Sequence, residues 1–273
     1  MNRILATAAA EFRIGFRNRW VAIAMAMMVL FSMVLSAAGS APSGALGADR
    51  LSVTVASLTS LSVYLVPLVA LLMSFDAVAG EVERGTLPLL LTYPVSRGEV
   101  LVGKLLAHLA ILALAIIAGY GVAAVAAIAV DRNATSGLPA LWRLVWSSLL
   151  LGATFLGTGY AISALSRRPS GAAGLAIALW LVLIVLFDLG LLAAVVADNG
   201  GRFTTDVFPY ALLANPADAF RLYNLAASDA TAAAAGVSGA ANTIPAWQSL
   251  LSIALWPLAA LALAIAAFKK VTP

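Results

Sequence analysis

SFDAVAGEVERGTLPLLLTYPVSRGEVLVGK, residues 74–104, decides how the rest of the chain is read. Asp76, Glu81, Glu83, Arg84, Arg97, Glu99 and Lys104 flank the apolar run Leu87-Pro88-Leu89-Leu90-Leu91. A plain connection between membrane spans has no need of such a run. The pattern predicts a short helix at a membrane surface, built to press into a partner. Thr86 stands where a cap belongs, and Pro88 fits the first turn, where a missing N–H does no harm. Pro94 ends the helix, because proline bars its predecessor from helical geometry. Ser96 and Glu99 form an S-x-x-E capping box that opens the next long helix.

Outward from this stretch the chain is overwhelmingly apolar. Of its 273 residues, 63% are hydrophobic and 10% charged, and the mean hydropathy is +1.01. A span needs about 20 apolar residues. Six stretches qualify, near 20–38, 53–75, 101–130, 141–165, 171–197 and 247–268. The expected fold is an all-α polytopic membrane protein, one domain over 1–273. The first stretch is longer than a signal-peptide core of about 7–15 residues, so a retained span is expected.

Lysine and arginine set the orientation. With the N-terminus inside, the inner segments hold Arg3, Arg13, Arg17, Arg19, Arg84, Arg97, Lys104, Arg167, Arg168, Lys269 and Lys270. The outer side and nearby helix ends hold Arg50, Arg132, Arg143, Arg202 and Arg221. This bias predicts both termini in the cytoplasm and a multi-pass location in a bacterial inner membrane. The +4 net charge follows the membrane sides and gives no reason to expect nucleic acid.

Residues 1–19 read as an interfacial helix. Ile4, Leu5, Ala8, Phe12 and Phe16 share one stripe, with Arg3, Glu11, Arg13 and Arg17 opposite. Residues 198–246 form a long outer segment. Within it Asn215-Pro216 is a cap followed by a first-turn proline, opening a helix that carries Phe220, Leu222 and Tyr223. Those three residues are expected to dock a partner, an alternative being a tether that closes over the helix ends.

Catalytic constellations are thin. There is no cysteine, hence no thiolate site or disulfide. The single histidine, His108, sits one turn after Lys104 and reads as a hydrogen-bonded packing residue. No HExxH and no Walker A motif occurs. Met25, Met28 and Met33 would suit Cu(I), but methionine also fills packing gaps, and no metal site is expected. Asp188, inside the fifth span, is costly there and must serve a structural bond or a pathway. Gly119 and Gly121, Gly152, Gly157 and Gly159, and Gly171 and Gly174 mark close helix approaches.

Taken together, E-x-E-R-G-T…LL…P-V-S-R…L-x-G-K after the second span, the basic opening helix and six spans resemble ABC type 2 transporter permeases. The resemblance implies a non-catalytic subunit whose coupling segment, 76–98, inserts into a separate ATPase that holds the ATP and Mg. Carried over residue by residue, the coupling set is Glu81, Glu83, Arg84, Gly85, Thr86, Leu90, Pro94, Arg97 and Lys104. Arg167 and Arg168 form the second inner contact. FRNRW at 16–20, GSAPSG at 39–44 and NPADAFRL at 215–222 narrow the resemblance to permeases of nitrous oxide reductase maturation systems. That narrower resemblance implies a homodimer, two copies of a NosF-like ATPase and a periplasmic NosD-like subunit, serving assembly of the reductase's copper centres. The alternative of the same fold is an exporter of an unrelated lipid, drug or polysaccharide. An intramembrane protease is the weakest reading, since only His108 and Asp188 could supply its chemistry.

Overall fold

The structure, a computed structural model, describes residues 2–17, 19–38, 50–226 and 243–271. Among these every regular element is helical. In chain order they are α1 (Asn2–Phe16), α2 (Arg19–Ala38), α3 (Arg50–Ser74), α4 (Ala79–Glu83), α5 (Leu87–Thr92) and α6 (Arg97–Val130). A 3-10 turn, Arg132–Gly137, leads into α7 (Leu138–Leu165). Then come α8 (Pro169–Trp180), a π turn (Leu181–Leu186) and α9 (Phe187–Asp198), which run on as one long helix. A second π turn (Phe203–Val207), α10 (Phe208–Ala214), α11 (Pro216–Leu225) and α12 (Ala246–Lys269) complete the order.

Among the described residues, five helices are long and apolar enough to cross a membrane: 50–83, 97–130, 134–165, 169–198 and 246–269. The pair α1–α2, bent by 73°, supplies a sixth candidate if it is counted as one span. Three boundaries differ from the sequence reading by four residues or more, one being the start of the α7 candidate at Ala134 rather than near 141. The third candidate starts at Arg97, because the Ser96–Glu99 box caps it there. The second continues through two turns into α4, because Ser163 Oγ on α7 accepts from the backbone N–H groups of Val78 and Ala79, each at 2.9 Å. Residues 39–49, with the GSAPSG stretch, and 227–242 lie outside the described residues.

The core is built around α7, which packs against α3, α6, α11 and α12. Leu58, Val66, Ile111, Leu112, Phe155 and Leu156 fill it. In hydrocarbon, helices gain little by hiding apolar surface from one another, and close backbone approach has to supply the association. The α7 glycines make that approach possible. A Cβ at Gly157 would stand 3.0 Å from Leu261 N and from Ala260 Cβ on α12, and one at Gly159 would run into Ser74 on α3. Gly119 does the same between α6 and α2, against Ser32 and Met28. Gly121, Gly171 and Gly174 face open space, so the close contacts expected of them are not made within this chain.

Gly157→Val is therefore expected to push α12 off α7 and cost about 1–3 kcal/mol, the usual penalty of overpacking. Gly171→Val should leave stability unchanged. Thermal unfolding of the two purified variants in detergent tests the contrast.

Candidate functional site

Residues 76–104 fold into two short helices set between long ones. Gly85, at φ +67, makes the turn between α4 and α5. Only glycine adopts that left-handed geometry without a steric cost. Thr86 occupies the N-cap of α5, but its hydroxyl makes no capping bond; it turns back to Glu81 O instead. Pro88 lies in the first turn of α5, Tyr93 is extended before Pro94, and both arms of the Ser96–Glu99 box are formed.

The segment is anchored on several sides. Lys104 Nζ lies 2.5 Å from Glu11 of α1 and 2.7 Å from Glu81 of α4, and the Lys104 side chain is only 4% exposed. Arg3 of α1 donates to Pro94 O. The Arg97 guanidinium donates to three carbonyls at the end of α12, Phe268 (2.6 Å), Lys269 (3.0 Å) and Val271 (2.7 Å), and lies over the Phe268 ring. One turn beyond Lys104, His108 Nδ1 pairs with the Tyr160 hydroxyl at 2.8 Å, a packing contact inside the bundle.

These anchors divide the coupling set read from the sequence. Glu81, Arg97 and Lys104 are consumed inside the chain, and Leu90 is half-buried against the core. Glu83, Arg84, Gly85, Thr86, Pro94, Arg167 and Arg168 are exposed. Two residues absent from that set, Leu89 and Tyr93, are each 66% exposed. Leu89 lies within α5 and Tyr93 directly past its end, four residues on. That i, i+4 pair was the available signal.

Glu11 also departs from expectation. Placed on the polar face of α1, it turns inward to Lys104. Ile4, Ala8 and Phe12 are part-buried, while Leu5, Ile14 and Phe16 remain exposed. Part of the apolar stripe of α1 thus packs within the protein, mainly on α6.

A second polar cluster lies toward the opposite end of the bundle. Arg221 of α11 reaches Asp188 of α9 at 2.9 Å and Asp218 at 3.3 Å. Asp218 is 2% exposed, and its Oδ2 has no partner among the described residues. Asn215 holds the same helix twice. Its Oδ1 accepts from Ala217 N at 2.9 Å, the N-cap expected from the sequence, and its Nδ2 donates to Leu183 O in the π turn at 2.6 Å. Asn224 closes the far end of α11 on Ser147 of α7 at 3.0 Å.

Here one expectation needs correction. Phe220 and Leu222 are buried in the chain's own packing, and Tyr223 is part-buried, edge-on to Trp146 and under Arg143. The apolar face of α11 closes on α3, α7 and α12 rather than on open surface. A long helix wall was available to it, and an apolar face takes the nearest one. Among the described residues of 198–226, the large apolar side chains that stay exposed are Val207 and Tyr210.

Asp188 and His108 sit in different clusters and form no joint site. Met28 is buried whereas Met33 is half exposed, so the methionines of α2 do not converge. No three His, Asp or Glu side chains among the described residues are placed to hold a metal ion.

The helical bundle thus carries an anchored helix pair at one end and a charged clamp toward the other. The family model of ABC-2 family transporter proteins matches residues 5–272, and the chain belongs to that family. It is 46% identical over 264 residues, 95% of both chains, to the probable ABC transporter permease protein NosY of Pseudomonas aeruginosa. To the protein of the same name from Stutzerimonas stutzeri it is 40% identical over 274 residues, 99% of both chains.

Proposed function

We propose that this chain is the permease subunit of an ABC transporter in which a separate cytoplasmic ATPase docks on α4–α5. The carrying observation is the pair Leu89 and Tyr93, exposed on a segment that is itself anchored to α1, α6, α7 and α12. Glu83, Arg84, Arg167 and Arg168 are exposed as well and would supply a charged rim to the docking surface. Such a rim guides orientation, while the apolar centre supplies the affinity.

In this reading six spans place both termini in the cytoplasm of a bacterial cell, with α1 lying along the inner interface. Two copies of the chain carry two copies of a NosF-like ATPase, which holds the ATP and Mg. The bare apolar faces of 169–198 are covered by lipid and the second copy. The relatives' names, with the resemblance to nitrous oxide reductase maturation permeases, support a role in assembling that enzyme's copper centres. A periplasmic NosD-like subunit then meets the Val207–Tyr210 surface, since Phe220 and Leu222 face inward.

Purification of the tagged chain from its native host is the test. An ATPase and a periplasmic subunit should copurify, and Val207→Asp/Tyr210→Asp should release only the periplasmic one. Reporter fusions after Pro273 and within 227–242 should report opposite sides of the membrane. Absence of any ATPase, or the same side for both fusions, would overturn the reading.

A further inference from the structure

The sequence marks no relation among Glu11, Glu81 and Lys104, which lie on three separate elements. The fold brings them to one point. Lys104 Nζ bridges Glu11 Oε1 at 2.5 Å and Glu81 Oε1 at 2.7 Å, with all three side chains at least four-fifths buried. The second oxygen of Glu81 is buried without a partner among the described residues. A buried ammonium between two carboxylates is a joint that resists separation, because removing the ammonium leaves both carboxylates without their cation.

The surroundings make the joint directional. At Gly103, beside Lys104, a Cβ would lie 2.7 Å from Thr7 Cβ and 3.1 Å from Ile4 O, so α1 and α6 touch almost backbone to backbone. On the far side, α4 is held by Ser163 at its start and ends just before the Gly85 turn into α5. A pull on α5 passes through that turn to α4. From there Glu81 is the ion-paired route toward α1 and α6.

We infer that Lys104 is the positioning residue that locks α1, α4 and the near end of α6 into one unit, so that α1 travels with the coupling segment when the docked ATPase changes state. This rests on the docking reading above. Lys104 touches neither nucleotide nor ATPase; it acts through Glu81 and Glu11.

The test uses the absence of native cysteine. Cysteines introduced at Ala9 of α1 and Thr92 of α5, both exposed, carry spin labels in the full permease–ATPase complex in liposomes. Their separation is measured without nucleotide and with ATP trapped by vanadate. In the otherwise unaltered chain it should be one narrow distance, the same in both states. Lys104→Met should broaden it and make it differ between states, with the ATPase still bound. Lys104→Arg should retain the narrow distance, because it keeps one cation between the two carboxylates.

A merely structural staple would lower the unfolding midpoint of Lys104→Met and leave the state dependence of the distance as it was. That result overturns the inference, as does a Lys104→Met complex with one unchanged distance. Failure of the docking reading looks different. The ATPase would then bind despite Leu89→Asp, while in the isolated chain Lys104→Met would still broaden the Ala9–Thr92 distance, and the joint would stand without the docking site.

Discussion

Leu89→Asp should abolish stable association with the ATPase while leaving the permease folded in the membrane. Leu89 is 66% exposed and belongs to no core contact, so the free chain loses nothing by the change. In a docked complex the same carboxylate would be taken out of water against an apolar surface without a partner. Central apolar and aromatic anchors of this kind cost at least about 2 kcal/mol when lost. With the added desolvation, the affinity should fall roughly 100-fold or more, each 1.4 kcal/mol being about a factor of ten. Tyr93→Ala should act in the same direction and more weakly, since it removes contact without adding charge. Glu83→Lys at the rim should change the salt dependence and rate of association more than its strength. Titration of the purified ATPase onto permease in nanodiscs measures all three. Wild-type affinity for Leu89→Asp would move the docking site away from α5.

The second large effect belongs to Arg221. This one guanidinium serves two carboxylates, Asp188 at 2.9 Å and Asp218 at 3.3 Å, and Asp218 is almost wholly buried. Arg221→Leu leaves both acids without their cation. Breaking a buried pair by removing one partner costs about 3–5 kcal/mol. The side chains of Arg221 and Asp188 retain some exposure, 23% and 29%, so the lower end of that range is expected. Asp188→Asn should cost much less, because Arg221 keeps Asp218. The triple change Asp188→Asn/Asp218→Asn/Arg221→Gln should recover most of the loss, since no ion then remains unpaired. Unfolding midpoints in one detergent order the set. If Asp188→Asn proves as damaging as Arg221→Leu, Asp188 has a role beyond this clamp.

Local chemistry was readable in the chain, and long-range pairing was not. Pro94 and the Ser96–Glu99 box lie within a few residues of the bend and the helix start they determine, so the α5–α6 junction followed from residue types. Asn215-Pro216 opened α11 for the same reason. Glu11 was set on the outer face of α1 because a helical wheel knows nothing of Lys104, 93 residues away. For α11 the residue types marked Phe220, Leu222 and Tyr223 as groups seeking apolar contact and could not say which wall they would meet. A clue existed in Asp188. A carboxylate within a span demands a neutralising group, and few cations fall on that side of the chain. Asking which of them could reach it would have brought Arg221, and with it α11, into the bundle.

The grip of Arg97 on the end of α12 has a meaning for synthesis. The guanidinium leaves the ribosome more than 170 residues ahead of the three carbonyls it holds. Throughout translation the α5–α6 junction therefore waits with one of its braces missing. Only α12, made much later, can supply it. A nascent chain that stalls or is clipped before Phe268 keeps that junction unbraced. Under the proposed docking, synthesis through α12 is written into the shape that an ATPase would inspect, a form of proofreading that needs no separate inspector.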